Sequence, residues 1–307
     1  MGDTDQTPFD RLIQRQRAAL DAARRAGDRR GEAMALADLG ASYYQANRLV
    51  EAIVYYGQAR EIAQALGARA MEASLLGNMG LAYAARNQLD QALSHYGQAL
   101  AVHGEIGDRD GEAADLSNIA NALRRQGRFE AALTHYERVL EIARELGQMR
   151  REAVCLGNLG NVCLQLRRPR DAIGYYRQAI DAAIRVNDPV WEGINVGNMG
   201  LAYQHAGDLD QAERLTRRAI DIHRAAGHQA GVAVWLRNLG DMAMARADAE
   251  ANGDDDTATA VREAIDYYQQ SFDLRAALGD ARTDDSARAL AAAQARLAAL
   301  EAAAASA

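Results

Sequence analysis

Apolar side chains recur along this chain with two nested periods. Locally they stand three, four and seven residues apart, the spacing that lines one face of an α-helix. The whole local pattern then returns every 40 residues. Leu36, Leu76, Leu116, Leu156, Val196 and Leu236 form one register. Leu39, Met79, Ile119, Leu159, Met199 and Leu239 form a second, and Tyr43, Tyr83, Leu123, Cys163 and Tyr203 a third. Gly40, Gly80, Gly160, Gly200 and Gly240 share the spacing, with Ala120 in the remaining place. A glycine on an apolar stripe removes a side chain where a neighbouring helix would approach. These positions predict a helix, called A, in each repeat. After a short polar turn a second stripe begins. It consists of Ala52, Ala92, Ala132, Ala172 and Ala212, then Tyr56, Tyr96, Tyr136 and Tyr176, then Ala59, Ala99, Val139, Ala179 and Ala219. This predicts helix B, closed by Gly27, Gly67, Gly107, Gly147, Asn187 and Gly227, residues suited to the left-handed conformation of a helix C-terminus.

One such hairpin cannot bury its own stripe, so successive hairpins must stack. The expected fold is all-α: a right-handed α-solenoid, or superhelix, of about six helical hairpins, with A helices on the concave side and B helices on the convex side. Its predicted parts are a flexible N-terminus at 1–7, a solenoid at 8–280 and a C-terminal capping helix and tail at 281–307. Within the solenoid, a half repeat at 8–27 caps the start. Repeats follow at 28–67, 68–107, 108–147, 148–187, 188–227 and 228–280. In the last of these, Glu263, Ala264, Tyr268 and Ser271 match helix B but arrive 12 residues late. Ala251, Asn252, Gly253, Asp254, Asp255 and Asp256 therefore read as a mobile acidic surface loop within an insertion near 247–260. Leu290, Leu297 and Leu300 share one side of the terminal segment. That segment is expected to hide the last apolar surface, or alternatively to dock a partner.

The order leucine, glycine, tyrosine, alanine, tyrosine, alanine resembles the tetratricopeptide consensus over roughly residues 12 to 280. The elements Asn78-Met79-Gly80, Asn158-Leu159-Gly160-Asn161 and Asn198-Met199-Gly200 are similar to the longer repeats of the Leu-Gly-Asn polarity adaptors and the kinesin-light-chain group. The resemblance implies a scaffold that holds an extended or helical peptide in its concave groove.

Composition narrows the function further. The chain has 49% hydrophobic and 25% charged residues and a formal net charge of -7. Nucleic acid, which calls for a basic face, is therefore not an expected partner. All 35 basic residues are arginine, the residue that pairs bidentately with carboxylates. Cys155 and Cys163 are too far apart along a helix to form a disulfide, and reduced thiols suggest a cytoplasmic address. No export signal or membrane span is indicated. Catalysis finds little support: the histidines lack metal-ligand spacing, no phosphate-cradling GxxxxGK[ST] loop is present, and Asp254 to Asp256 lack the pattern of a calcium loop. No cofactor or metal is expected, and the chain is read as a non-enzyme.

On helix A, the residue two places before the stripe glycine points away from the core at 100° per residue. It is never apolar: Asp38, Asn78, Asn118, Asn158, Asn198 and Asn238. Such amides suit a clamp on a peptide backbone, having both donors and an acceptor. Equally, they would set the superhelical pitch by bonding to the next repeat. Gly77, Gly157 and Gly197 are expected to clear room in the groove, with Asn121, Arg124, Arg125, Asn161, Gln165, Gln204, His205 and Arg237 projecting from the same side. Arg124, Arg125 and Arg128, with Arg167, Arg168 and Arg170, form a candidate patch for carboxylate or phosphate; solvated helix-end arginines are the plainer reading. At about 1 kcal/mol net for each ladder contact, the amides alone support only weak binding, so specificity falls to these side chains. The expected partner is a protein or peptide with an acidic segment. The alternative is a ligand-responsive sensor module acting on a separate effector such as a transcriptional regulator or signalling ATPase.

Overall fold

The computed structural model describes residues 7–249 and 254–306, and these form two compact units, 1–148 and 149–307. Every element among the described residues is an α-helix. The first unit contains α1 (Pro8–Ala26), α2 (Arg29–Gln45), α3 (Leu49–Ala65), α4 (Arg69–Ala85), α5 (Leu89–Ile106), α6 (Arg109–Arg125) and α7 (Phe129–Glu145). The second contains α8 (Met149–Gln165), α9 (Pro169–Arg185), α10 (Pro189–His205), α11 (Leu209–Ala225), α12 (Gln229–Ala249), α13 (Asp254–Leu278) and α14 (Thr283–Ser306). Residues 1–6 of the expected flexible N-terminus, Ala251, Asn252, Gly253 and Ala307 lie outside the described residues.

Local chemistry fixes the boundaries. Asp28, Asp108, Asp188 and Asp208 cap α2, α6, α10 and α11, each accepting a backbone N–H three residues on at 2.8 to 3.1 Å. Thr7 and Asp10 form a reciprocal capping box at α1. The five A-to-B turns from α2–α3 to α10–α11 are each closed by a residue with positive φ: Asn47, Asn87, Gly127, Arg167 and Gly207 in order. Glycine and asparagine tolerate that conformation, whereas Arg167, at φ 56°, is strained.

Even-numbered helices up to α12 are the A helices and pack against the B helix that follows. In the first unit Leu36, Leu39, Tyr43, Tyr56, Leu75 and Met79 share one buried cluster with Ile13 and Leu20 of α1. α1 thus packs on the first hairpin. In the second unit Ile180, Val196, Ile220, Trp235, Leu236 and Leu239 make the corresponding cluster.

The stripe glycines act through the B-helix tyrosines. A Cβ at Gly40, Gly80, Gly160 or Gly240 would sit 2.4 to 2.6 Å from the ring of Tyr56, Tyr96, Tyr176 or Tyr268 respectively. Where Thr216 replaces the tyrosine, the backbone itself closes in, and a Cβ at Gly200 would come within 3.1 Å of the Ala212 carbonyl oxygen.

The insertion differs from the loop expected. It lengthens α12 to 21 residues and α13 to 25, with Asp254, Asp255 and Asp256 in the first turn of α13. The extension is held by apolar contacts remote in sequence: Ala247, Ala260 and Val261 are buried, with Leu297 and Leu300 of α14 packed against them. Ala293, Ala289 and Leu290 of the same helix cover Ala243, Ala264 and Tyr268. α14 thus packs on the last hairpin, tied also by Arg296 to the Ala247 carbonyl at 3.1 Å and by Ser271 to Ser286 at 3.3 Å.

Candidate functional site

The asparagine ladder lies on the A helices, half-buried in both units. In the first unit, Asn78 on α4 and Asn118 on α6 have amides that bond to no other described group, and Asp38 on α2 is exposed. In the second, Asn158 on α8 and Asn238 on α12 are likewise without an amide partner. Asn198 on α10 is the exception, donating to Asn161 Oδ1 at 3.4 Å. Among the described residues, repeat-to-repeat bonding by the ladder amides, the structural role weighed above, is this one long contact.

One turn before each amide, on the same helical face, is a side chain that the polar pattern did not single out: Ser74, Ala114, Val154, Ile194 and Val234. Val154 is exposed, and Ile194 and Val234 are half-buried. The signal was available in the sequence as a second 40-residue register, four positions ahead of the asparagines. In the second unit it sets an aliphatic row beside the amide row.

Other expected groove residues are committed elsewhere. Asn121 and Asn161 accept hydrogen bonds from Tyr136 and Tyr176 at 2.8 and 2.7 Å, locking A to B within a hairpin. Tyr268 makes the same bond to Asp241 at 2.7 Å, and burial, reinforced by that bond, pushes its hydroxyl pKa well above the ordinary tyrosine value. Arg237 bonds to Asp241 and to the Asp285 carbonyl, each at 3.0 Å, and lies over the Tyr268 ring. Arg125 donates to the Ala84 carbonyl and to Asn87 Oδ1 at 2.9 and 3.0 Å, satisfying the C-terminal end of α4. Arg168 pairs with Asp171 at 2.6 Å. Two of the six arginines of the expected patch, Arg125 and Arg168, are thus held by internal bonds. Arg124 is half-buried with no partner for its Nε. Gln165 and His205 are exposed, and Gln204 is half-buried.

Gly157 and Gly197 do not clear open space. Both are buried, and a Cβ on them would meet Asn195 Oδ1 at 2.7 Å and the Trp235 ring at 2.2 Å. One residue, or 100°, before the ladder asparagine, the helix surface already faces the next A helix rather than solvent. Gly77 faces Asp115 in the same way, at 3.6 Å.

Asp115 and Asn195 belong to a buried register that also contains Cys155 and Trp235. Asp115 meets His103 Nδ1 at 2.6 Å, and burial raises its carboxyl pKa against the opposing pull of the histidine. Three repeats later His223 takes the place of His103. It is fully buried beside His228, Nδ1 to Nδ1 3.1 Å, and burial, then the His228 charge, lowers its pKa to about 4. Both rings fit because Gly111 and Gly231 stand against them, where a Cβ would approach to 2.5 and 2.6 Å. Among the described residues no group of three or more His, Cys, Asp or Glu could hold a metal, and no helix is long and apolar enough to cross a membrane.

Family models described as tetratricopeptide repeat match residues 71–145, 112–185 and 197–226. Among solved structures, the chain is similar to BtubC (BKLC) from P. vanneervenii, with TM-score 0.64 and 24% identity over 72% of this chain and 93% of that one. It is also similar to a Rap protein complexed with competence and sporulation factor (TM-score 0.55, 16% identity, 98% and 89% covered). A third similar structure is the apo quorum sensor NprR from B. thuringiensis (TM-score 0.58, 17% identity, 93% and 84% covered). A comparison with curated proteins finds no match. At these identities the structural likenesses establish the fold.

Proposed function

Given that the chain is a tetratricopeptide-repeat protein, we propose that it is a non-catalytic adaptor holding an extended or helical segment of a partner protein against its A-helix faces. One observation carries this reading: half-buried amides with unused hydrogen-bonding capacity stand one turn from aliphatic side chains. In the second unit the pairs are Asn158 with Val154, Asn198 with Ile194 and Asn238 with Val234. The amides match the N–H and C=O of a peptide backbone whatever its sequence, and the aliphatic row takes up apolar side chains. Arg124 in the first unit, with Arg128 of the same patch, offers a guanidinium to an acidic residue, whereas Arg125 and Arg237 are held by internal bonds.

A second reading rests on the likeness to NprR, called a quorum sensor, and to the Rap protein solved with a bound factor. In it the face takes a small peptide and the chain acts on a separate effector. A photo-crosslinking residue at Val154, with Arg177 on the B helix as the control position, separates the two. Capture of a protein at Val154 and not at Arg177 supports the adaptor. Capture of a short peptide supports the sensor. Equal labelling at both positions contradicts both.

A further inference from the structure

Two grooves between neighbouring B-type helices have the same chemistry, although five repeats separate them in sequence. In the first unit α1 and α3 flank a cavity of about 520 Å³ lined by Arg17, Leu20, Asp21, Arg24, Tyr55 and Gln58, with Val50 and Val54 exposed at its rim and Glu51, paired with Arg48 at 2.5 Å, beside them. In the second, α11 and α13 flank one of about 290 Å³ lined by Arg217, Ile220, Asp221, Arg224, Tyr267 and Gln270. The α1 and α11 members are 200 positions apart. The α3 and α13 members are 212 apart, the difference being the 12-residue insertion. The match is not the repeat consensus. At the positions of Arg17 and Tyr55, the four intervening helix pairs carry Gly57 and His95, Gly97 and His135, Glu137 and Tyr175, and Arg177 and Leu215.

The first groove holds two charges that its own fold leaves unneutralised. Arg17 bonds to the hydroxyls of Tyr43, at 3.3 Å, and Tyr55, and to no carboxylate among the described residues. Asp21, four residues on and on the same helical face, is in no ion pair among the described residues. The same cavity is lined by Leu20 and by the Tyr55 ring, which stacks on Tyr43 at 5.2 Å. A fixed guanidinium, a carboxylate one helical turn away and an apolar wall are complementary to a small molecule with a carboxylate, an ammonium and an apolar side chain. In the second groove Arg217 lies over the Tyr267 ring but is paired with Glu213 at 2.6 Å, and Arg224 stands 3.9 Å from Asp221.

We propose that these two grooves bind an apolar α-amino acid as its zwitterion, with the carboxylate on Arg17 or Arg217, the ammonium on Asp21 or Asp221, and the side chain against the facing tyrosine. The site is separate from the A-helix face and does not depend on what that face binds. The first groove is the tighter of the two, because Arg217 must release Glu213 before it can take a ligand.

Saturation-transfer NMR with free leucine, added to the full chain, tests this. The expected result is saturable binding, with a Kd on the order of 1 mM for so small a ligand. N-acetyl-leucine and leucinamide, each lacking one charge, are expected to bind at least about tenfold more weakly, as for loss of one charge-assisted contact. Arg17→Gln should remove the tighter phase and leave the weaker one, with circular dichroism confirming the fold. The blocked ligands test the same point on the unmutated protein. Absence of saturable leucine binding, or equal binding of the two blocked forms, overturns the proposal. Binding of N-acetyl-leucine alone would also overturn it, pointing instead to recognition of an acidic segment.

Discussion

Tyr176 is fully buried and donates a 2.7 Å hydrogen bond to Oδ1 of Asn161, fifteen residues earlier on the facing helix. The bond joins the two helices of a hairpin at the level where Gly160 lets the tyrosine ring rest on the α8 backbone. Asn161→Ala leaves the hydroxyl buried without its acceptor, at a cost of about 1–3 kcal/mol. Adding Tyr176→Phe should recover part of that loss, because both polar partners are then gone. Urea unfolding of the single and double variants measures this; strictly additive losses would show that the bond contributes nothing of its own.

Glycines of one helix pair should respond in opposite ways. Gly80→Ala places a Cβ 2.4 Å from the Tyr96 ring, whereas Gly57→Ala meets nothing within 4 Å. Overpacking is expected to cost about 1–2 kcal/mol at Gly80. The lower part of the usual range applies because alanine, Ala120, naturally holds the register position of Gly80 in the hairpin whose B helix carries Tyr136. Replacing a mid-helix glycine is expected to stabilise by about 0.5–1 kcal/mol at Gly57. Thermal denaturation of the two variants gives the signs.

Arg167 occupies a left-handed turn position that the four other described A-to-B turns give to asparagine or glycine. Arg167→Gly should raise stability by about 0.5–1 kcal/mol, since the Cβ penalty at positive φ outweighs the added freedom of the unfolded chain. A lowered melting temperature would contradict this.

His223 makes the protein acid-sensitive. Its folded pKa of about 4 lies below the unfolded histidine value of about 6.5, so the unfolded chain takes up the proton first. The contribution is fully present above about pH 6.5 and is lost as pH falls toward 4, amounting to roughly 2–3 kcal/mol across that window. Urea midpoints measured at pH 7.5 and 5 should fall less in His223→Ala, the residue found at the equivalent Ala63, Ala143 and Ala183, than in the wild type. An unchanged pH dependence would contradict the assignment.

The hairpins and their turns were legible because each depends on side chains close in sequence, and the 40-residue register repeats that local signal. What escaped the sequence depends on neighbours across space. The acidic composition around Asp254 suggested a loop, but Ala247, Ala260 and Val261 are drawn into helix by Leu297 and Leu300 of α14. Gly157 and Gly197 looked like open groove because nothing local marks Asn195 and Trp235 as their neighbours. Asn121 and Asn161 shared the composition of the ladder, yet facing tyrosines claim their amides. The ladder itself was visible in full, while the adjoining row of Val154, Ile194 and Val234 became meaningful only once those amides were found half-buried and largely unused.

The most direct test of the A-helix face is capture of partners from native extract by the wild type and by the triple variant Asn158→Ala, Asn198→Ala, Asn238→Ala, with circular dichroism confirming that both are folded. The account predicts a protein captured by the wild type and lost with the folded variant, because three backbone-pairing amides are removed while almost no internal bond is broken. The same partner captured equally by both would contradict it and move the binding surface away from the A helices.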